Sequence, residues 1–367
     1  MDADPSAQAR QHAVEELFRE SGLLGEPHRV DEDRLRSVLR EEYGVDGVLT
    51  RLDTEKDATF RLQGERELLV KVSQPDEPID VVRCQVDAIA WIEQQDPGIP
   101  VQTVLQARDG LRWRPFIDHR GRASGVLRVH EFIPGTLLAD AVPTPAQLRA
   151  TGAMLGRVDV AMRGFSHPGE TRAFVWDLAR FSALEPLVDL EPDERRRALA
   201  LAVFDRYREQ VAPALADART QVIHGDFSPY NAVVDPASDA YITGVLDFGD
   251  TMRTPVIFDP AVLLGNHLLP SPQHPWTQAR ALLDGYRAVL PLTEEEVRLV
   301  VIASVARVTL RALVANRRVA HDPERAAYVL HHARDDWRRV ANAVHFGFDD
   351  AGDHLLHLSP HTTPTPH

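Results

Sequence analysis

The segment Val222–Asp250, VIHGDFSPYNAVVDPASDAYITGVLDFGD, constrains this chain more than any other. Short apolar runs at Val222-Ile223, Ala232–Val234 and Ile242–Leu246 are bounded by Gly, Pro and Asp. Runs this short and this rich in β-branched residues read as strands. They place Asp226 and Asn231 on one loop, and a hairpin returns Asp247 beside them.

Phosphoryl transfer asks for these residue types. One carboxylate orients the attacking hydroxyl and accepts its proton. An amide oxygen and a second carboxylate hold the magnesium that neutralises the phosphates. Hard protein oxygens, nucleotide oxygens and water complete an octahedral Mg²⁺ shell. Asp226 fits the first role, and Asn231 and Asp247 fit the second. Lone HGD or DFG triplets are common, because turns are rich in Asp, Gly and Asn. H-x-D-x4-N followed by a strand pair and D-F-G is far rarer, and it points to a metal-assisted phosphotransferase.

On these residues the chain resembles the aminoglycoside phosphotransferase-like kinases, which share the protein-kinase fold but phosphorylate small molecules. Their loop reads H-G-D-x4-N, as His224–Asn231 does here. The stretch Ile242–Leu264, ITGVLDFGDTMRTPVIFDPAVLL, is more narrowly similar to hydroxylysine kinases and their bacterial relatives. The resemblance runs from Val48 to the final helices. It implies an α+β, protein-kinase-like bilobal fold, with an antiparallel sheet and a helix in the N-lobe and a mostly helical C-lobe. It also implies Mg²⁺ as cofactor and ATP or GTP as co-substrate. The expected division is N-terminal helices over 1–45, a nucleotide-binding N-lobe over 46–133, a catalytic and substrate-binding C-lobe over 134–346, and a disordered tail over 347–367.

Within the first 45 residues, Ala7–Leu24 and Asp31–Tyr43 read as amphipathic helices without chemistry, the second capped by Asp31 and closed by Gly44. Strands follow at Val48–Leu52, Ala58–Leu62 and Leu68–Val72. The loop Asp53–Asp57 lacks the glycines of a protein-kinase phosphate loop. That leaves Thr54, Lys56 or backbone amides as phosphate contacts, with a solvated turn as the plainer reading. Lys71 lies between apolar neighbours, where a cation is costly to bury without an anion. The resemblance supplies that anion as the α- and β-phosphates.

In the helix Pro78–Gln94, Gln85 stands where the kinase pattern has the Glu that pairs with the strand lysine. An amide can hydrogen-bond a lysine but brings no charge. Cys84 reads as a buried small hydrophobe. Val101–Gln106, Gly110–Trp113 and Val126–Phe132 are expected to complete a five-stranded sheet. Pro134-Gly135 marks the hinge, and the resemblance sets the adenine edge against backbone groups of Glu131 and Ile133.

In the C-lobe, helices are expected at Thr144–Arg163, Asp177–Leu190, Pro192–Ala218, Gln278–Leu290, Thr293–His321 and Pro323–Phe346. His224 is expected to fix the loop by hydrogen bonds. Asp250 faces the substrate or caps a turn. Asp259, ahead of Pro260, reads as a helix N-cap. Arg307 and Arg311, at i and i+4, are either solvated and ion-paired or reach the cleft and bind a substrate carboxylate.

The formal charge of −14 argues against a nucleic-acid binder driven by phosphate contacts and suits a cationic substrate. No run of about 18 apolar residues predicts a membrane span, and the N-terminus lacks the pattern of a secretory signal. A single cysteine allows no intramolecular disulfide and fits a reducing, cytoplasmic setting. The expected activity is Mg²⁺-dependent transfer of the γ-phosphoryl of ATP or GTP to a hydroxyl of a small amine-bearing molecule such as hydroxylysine. An aminoglycoside or other antibiotic is the alternative substrate. A nucleotide-holding pseudokinase, suggested by Gln85, is the reading from another class. No Ala-Pro-Glu segment follows Gly249, against a protein kinase.

Overall fold

Five antiparallel strands form the upper sheet of the computed structural model, which describes residues 5–23, 28–54, 56–323 and 333–356. They are β1 (Gly47–Leu52), β2 (Ala58–Gly64), β3 (Glu67–Val72), β4 (Arg114–Ile117) and β5 (Ala123–Glu131), in the order β1-β2-β3-β5-β4. Alternate residues Phe60, Leu62, Val70, Val72, Leu127 and Val129 turn to one face. There they meet Leu35 and Val38 of helix α2 (Glu32–Val38) and Leu39 of the turn that follows it. Asp31 caps α2 and left-handed Gly44 ends the turn. The opposite face receives α3 (Ile79–Gln95) and carries Lys71, whose register partner on β5 is Arg128.

Val101–Gln106 is not a strand of this sheet, contrary to expectation. Leu105 N–H donates to Val129 O at 2.7 Å and Gln102 N–H to Val245 O at 3.0 Å. The segment is therefore divided between two sheets and builds a continuous ladder in neither. It ties the upper lobe to the catalytic hairpin below.

The lower lobe begins with β6 (Thr136–Leu137) and α4 (Pro145–Ala161), whose capping box joins Thr144 to Gln147. Leu178–Leu190 is 3₁₀ rather than α-helix, with Pro186 inside it. Then come α5 (Glu194–Arg206), a π turn, and the short α6 (Ala212–Ala214). Strands β7 (Thr220–Ile223), β8 (Ala232–Val234), β9 (Ile242–Val245) and β10 (Met252–Pro255) form two small sheets, β6-β8-β9 and β7-β10. Helices α7 (Phe258–Asn266), α8 (Thr277–Val289), α9 (Glu294–His321), α10 (Asp336–Phe346) and α11 (Phe348–Leu356) complete the lobe. Helix α9 is the axis, buried almost continuously from Val297 to Ala315. Helices α4 and α8 meet backbone to backbone. A Cβ on Gly152 would lie 1.8 Å from Leu282 O, so nothing larger fits there.

The expected N-terminal pair does not stay together. Helix α1 (Pro5–Ser21) buries Val14, Leu17 and Phe18 in the lower core, and Glu15 pairs with Arg317 at 2.7 Å. The expected disordered tail is corrected at its start. Phe348–Leu356 is helical because Ala351 and Leu355, one turn apart, are buried; residues 357–367 lie outside the described residues. Of the expected helix Pro323–Phe346, the stretch from Asp336 is α10, and 324–332 lie outside the described residues. No described helix is long and apolar enough to cross a membrane.

Candidate active site

The loop between β7 and β8 is held from beneath. Gly225 has φ +82, and a Cβ there would lie 2.5 Å from Asp250 O, so only glycine fits. His224 is fully buried. Its Nδ1 accepts the Asp226 N–H at 3.2 Å, and its Nε2 faces Leu246 O at 3.0 Å. The expected structural role of this histidine stands in those bonds.

Asp259 does something other than cap a helix. Ile257 occupies the cap of α7, and Asp259 lies within its first turn. Its two carboxylate oxygens accept the N–H groups of His224 at 2.9 Å and Gly225 at 2.8 Å. Behind it Asp159 is fully buried, and Tyr286 Oη donates to Asp159 Oδ2 at 2.6 Å. Burial and then the neighbouring Asp259 push the Asp159 carboxyl well above the usual carboxylate range. It backs the loop clamp, with its charged form disfavoured. An acid on the apolar stripe Leu155, Val158, Met162 was a legible signal for it.

The three motif residues converge. Asn231 Nδ2 donates to Asp226 Oδ2 at 2.8 Å and to Asp226 O at 2.9 Å. Asp247 adopts left-handed φ 54, a strained position of the kind found at functional sites. Its Oδ1 accepts the Gly249 N–H at 3.1 Å and meets Lys71 Nζ at 3.0 Å. The crowded cleft opposes ionisation of Asp247, but Lys71 outweighs it and holds the carboxyl down at about 2. Asp250 lies close by; burial and then the charge of Asp226 push it up to about 7.

This donor set suits magnesium. Asn231 Nδ2 is engaged with Asp226, which leaves the amide oxygen to coordinate. Together with the ionised Asp247 it supplies two hard oxygens, the number Mg²⁺ takes from a protein when phosphates provide the rest.

Gln85 does not meet Lys71. Its Oε1 accepts from Arg128, and its Nε2 donates to Gly249 O at 3.1 Å. Arg128 is nearly fully buried and needs an acceptor, which the amide oxygen provides. At the hinge, Glu131 N–H donates to Thr103 O at 2.9 Å and Glu131 O accepts from Gln102 Nε2 at 3.0 Å. An adenine edge there would share that carbonyl with Gln102. Ile133 lies beside Gly244 of β9.

Two recesses meet at Asp226, Asn231, Asp247 and Asp250. The upper lies between the β1–β2 loop and Lys71. The lower is walled by Trp176, Tyr230, Arg307 and Arg311. Arg307 stacks on Trp176, 4.5 Å from the ring centre, and Nη2 reaches Asp226 Oδ1 at 3.1 Å. Its Nε and Nη1 are buried and have no partner among the described residues. Arg311 lines the same wall but is engaged elsewhere: Nε and Nη2 pair with Asp336 at 2.8 and 2.6 Å, and Nη1 with Asn266. Among the described residues every guanidinium nitrogen of Arg311 has a partner, whereas Arg307 has one only at Nη2. Arg172 and Trp176, which also line the site, lie in irregular chain and carried no sequence signal.

A family model described as "Phosphotransferase enzyme family" matches residues 49–299. The chain is 26% identical over 330 residues to a hydroxylysine kinase of Danio rerio, covering 86% of this chain and 92% of that protein. Among solved structures, a microcompartment-associated aminopropanol kinase superposes with TM-score 0.64 at 17% identity, covering 88% of this chain and 99% of the other. The amicoumacin kinase hAmiN, solved with AMP-PNP, Ca²⁺ and Ami, gives TM-score 0.62 at 16% identity, covering 84% and 93%. The expected bilobal kinase-like fold is the fold of these neighbours.

Proposed function

The chain belongs to the phosphotransferase enzyme family and is a small-molecule kinase, and from that premise we propose that it phosphorylates a hydroxyl of a small zwitterionic amino alcohol of the hydroxylysine type. ATP or GTP is the donor. Asp226 orients the acceptor hydroxyl and takes its proton. Asn231 and Asp247 hold Mg²⁺, which when bound neutralises charge on the phosphates. Lys71, now against Asp247, clamps the phosphates once that carboxylate serves the metal. Catalysis is then positioning and electrostatics, with no covalent enzyme intermediate.

The observation that carries the substrate class is Arg307. A buried guanidinium with two open donors is costly unless an anion arrives. It stands one side chain away from Asp226, with Asp250 in the same recess. A carboxylate on Arg307, an ammonium against Asp250 and a hydroxyl at Asp226 describe a hydroxy amino acid. The relative in Danio rerio is a hydroxylysine kinase, in agreement with this class. An aminoglycoside, with several ammonium groups, asks for acids where this wall carries Arg307, Arg311 and Arg318. The convergence of Asp226, Asn231 and Asp247 supports turnover over nucleotide holding alone.

The test is Mg²⁺-dependent ADP and GDP release across hydroxylysine, amino alcohols lacking a carboxylate, homoserine, choline and several aminoglycosides. A strong response confined to hydroxy amino acids is expected. A response to aminoglycosides with none to hydroxylysine would overturn the substrate class.

A further inference from the structure

Seven residues form a closed circuit of polar contacts around the upper recess. Lys56, in the glycine-free β1–β2 loop, pairs with Glu77. Glu77 lies 3.8 Å from Arg172 Nη1, and Arg172 comes from the lower lobe. Arg172 Nη2 donates to Gly249 O at 2.7 Å. The same carbonyl accepts from Gln85 Nε2. Gln85 Oε1 then accepts from Arg128, and Arg128 from β5 pairs with Asp57, next to Lys56. Arg128, Glu77 and Arg172 have side chains exposed by only 5%, 8% and 9%. Charges this enclosed persist only with partners.

We propose that Arg128 and Arg172 are positioning residues that, joined through Gln85 and the Gly249 carbonyl, replace the lysine–glutamate pair of other kinases and hold the Asp247 turn ready for the metal. This rests on the kinase reading of the site. The physical argument has two parts. Asp247 Oδ1 accepts the Gly249 N–H while Gln85 and Arg172 hold the Gly249 carbonyl, so Gly249, to which the Asp247 carboxylate is bonded, is anchored on both its N–H and its C=O. An amide suits position 85 because it must accept from Arg128 and donate to a carbonyl at once. A glutamate can only accept, and would face the carbonyl with like partial charge. A neutral residue here also leaves three cations (Lys56, Arg128, Arg172) against two anions (Asp57, Glu77) facing the polyphosphate. Gln85 is thus a required amide rather than a lost acid.

The decisive variant is Gln85→Glu, which restores the usual acid. It is expected to lower kcat at least tenfold, weaken MgADP binding several-fold by calorimetry, and leave the KM of the acceptor within about twofold. Arg172→Met should do the same, with partial rescue in Arg172→Lys. In the nucleotide-free proteins, hydrogen exchange across 247–251 should quicken in Gln85→Glu and Arg172→Met relative to wild type. A Gln85→Glu enzyme with undiminished kcat and unchanged exchange would overturn the proposal. So would Arg172→Met with wild-type exchange and MgADP affinity. Wild-type protein that binds no MgADP would instead sink the kinase reading, and this proposal with it.

Discussion

Lys71 and Arg307 approach the reaction centre from opposite lobes and make the same kind of contact. Lys71 meets Asp247 at 3.0 Å and Arg307 meets Asp226 at 3.1 Å, both from side chains that are mostly buried. What surrounds them differs. Near Lys71 the buried cations Arg128 and Arg172 are tied to Asp57 and Glu77, and each leaves one N–H, at Nε, without a partner among the described residues. Arg307, stacked on Trp176, leaves two, at Nε and Nη1. On the proposed reading the nucleotide is the constant partner and takes the upper recess, whose buried charges are tied into one circuit. The acceptor is the variable partner and takes the lower recess, where Arg307 has N–H groups to spare.

The comparison breaks or holds first at Asp226. Asp226→Asn is expected to reduce transfer by a thousandfold or more, about 4 kcal/mol of barrier, while MgADP affinity stays near wild type because Lys71, Asn231 and Asp247 are all retained. Turnover close to wild type would remove Asp226 from its assigned role. Next, Arg307→Met should raise the KM for hydroxylysine about a hundredfold, close to 2.7 kcal/mol, without moving the KM for nucleotide. An amino alcohol lacking the carboxylate should be indifferent to the change, and equal losses for both acceptors would show that Arg307 only props Asp226.

Arg311 sharpens the contrast one helical turn away. Asp336, its partner, is completely buried, so Arg311→Met should cost about 3 kcal/mol of stability, read as a lower unfolding midpoint, with the acceptor KM little changed. A KM effect as large as that of Arg307→Met would place Arg311 on the substrate after all.

The smallest effect belongs to Asp250. With its carboxyl pushed up to about 7 by burial and by Asp226, it gains charge as pH rises through neutrality and then attracts an ammonium. Wild-type kcat/KM should climb a few-fold across pH 7, and Asp250→Asn should flatten that rise. The sign for stability is opposite. The folded protein keeps this proton up to about pH 7 while an unfolded chain releases it near about 3.9. Asp250 therefore lowers stability progressively between those values, and Asp250→Asn should narrow the loss seen on going from pH 5 to pH 8.

Much of the catalytic lobe was legible because its signals are local. The Asp226–Asn231 loop, the β8–β9 hairpin and the helix caps at Thr144 (with Gln147) and Thr293 (with Glu296) follow from residues within a few positions of one another. Arg128 carries the same signal as Lys71, a cation in an apolar strand (VLRVH, Val126–His130), yet sequence reading gives it no role. Only the β3–β5 register shows that the two face each other. Asp259 beside Pro260 has the local form of an N-cap, and that local form misleads. Its carboxylate is drawn instead to two N–H groups some 34 and 35 positions earlier in the chain.

The sequence by itself determined the kind of chemistry this protein performs. A short loop and one hairpin bring the carboxylates of Asp226 and Asp247 and the amide of Asn231 together almost regardless of what surrounds them. Tertiary structure decided which charges are available. Arg307 and Arg311 occupy the same face of the same helix, yet α10 and α7 supply Asp336 and Asn266 to one and nothing to the other. Gln85 passes over Lys71 for Arg128, 43 positions away. The reason is physical. Helical and strand periods fix where a side chain points, but the free energy of a buried charge depends on its partner. That partner comes from an element distant in the chain.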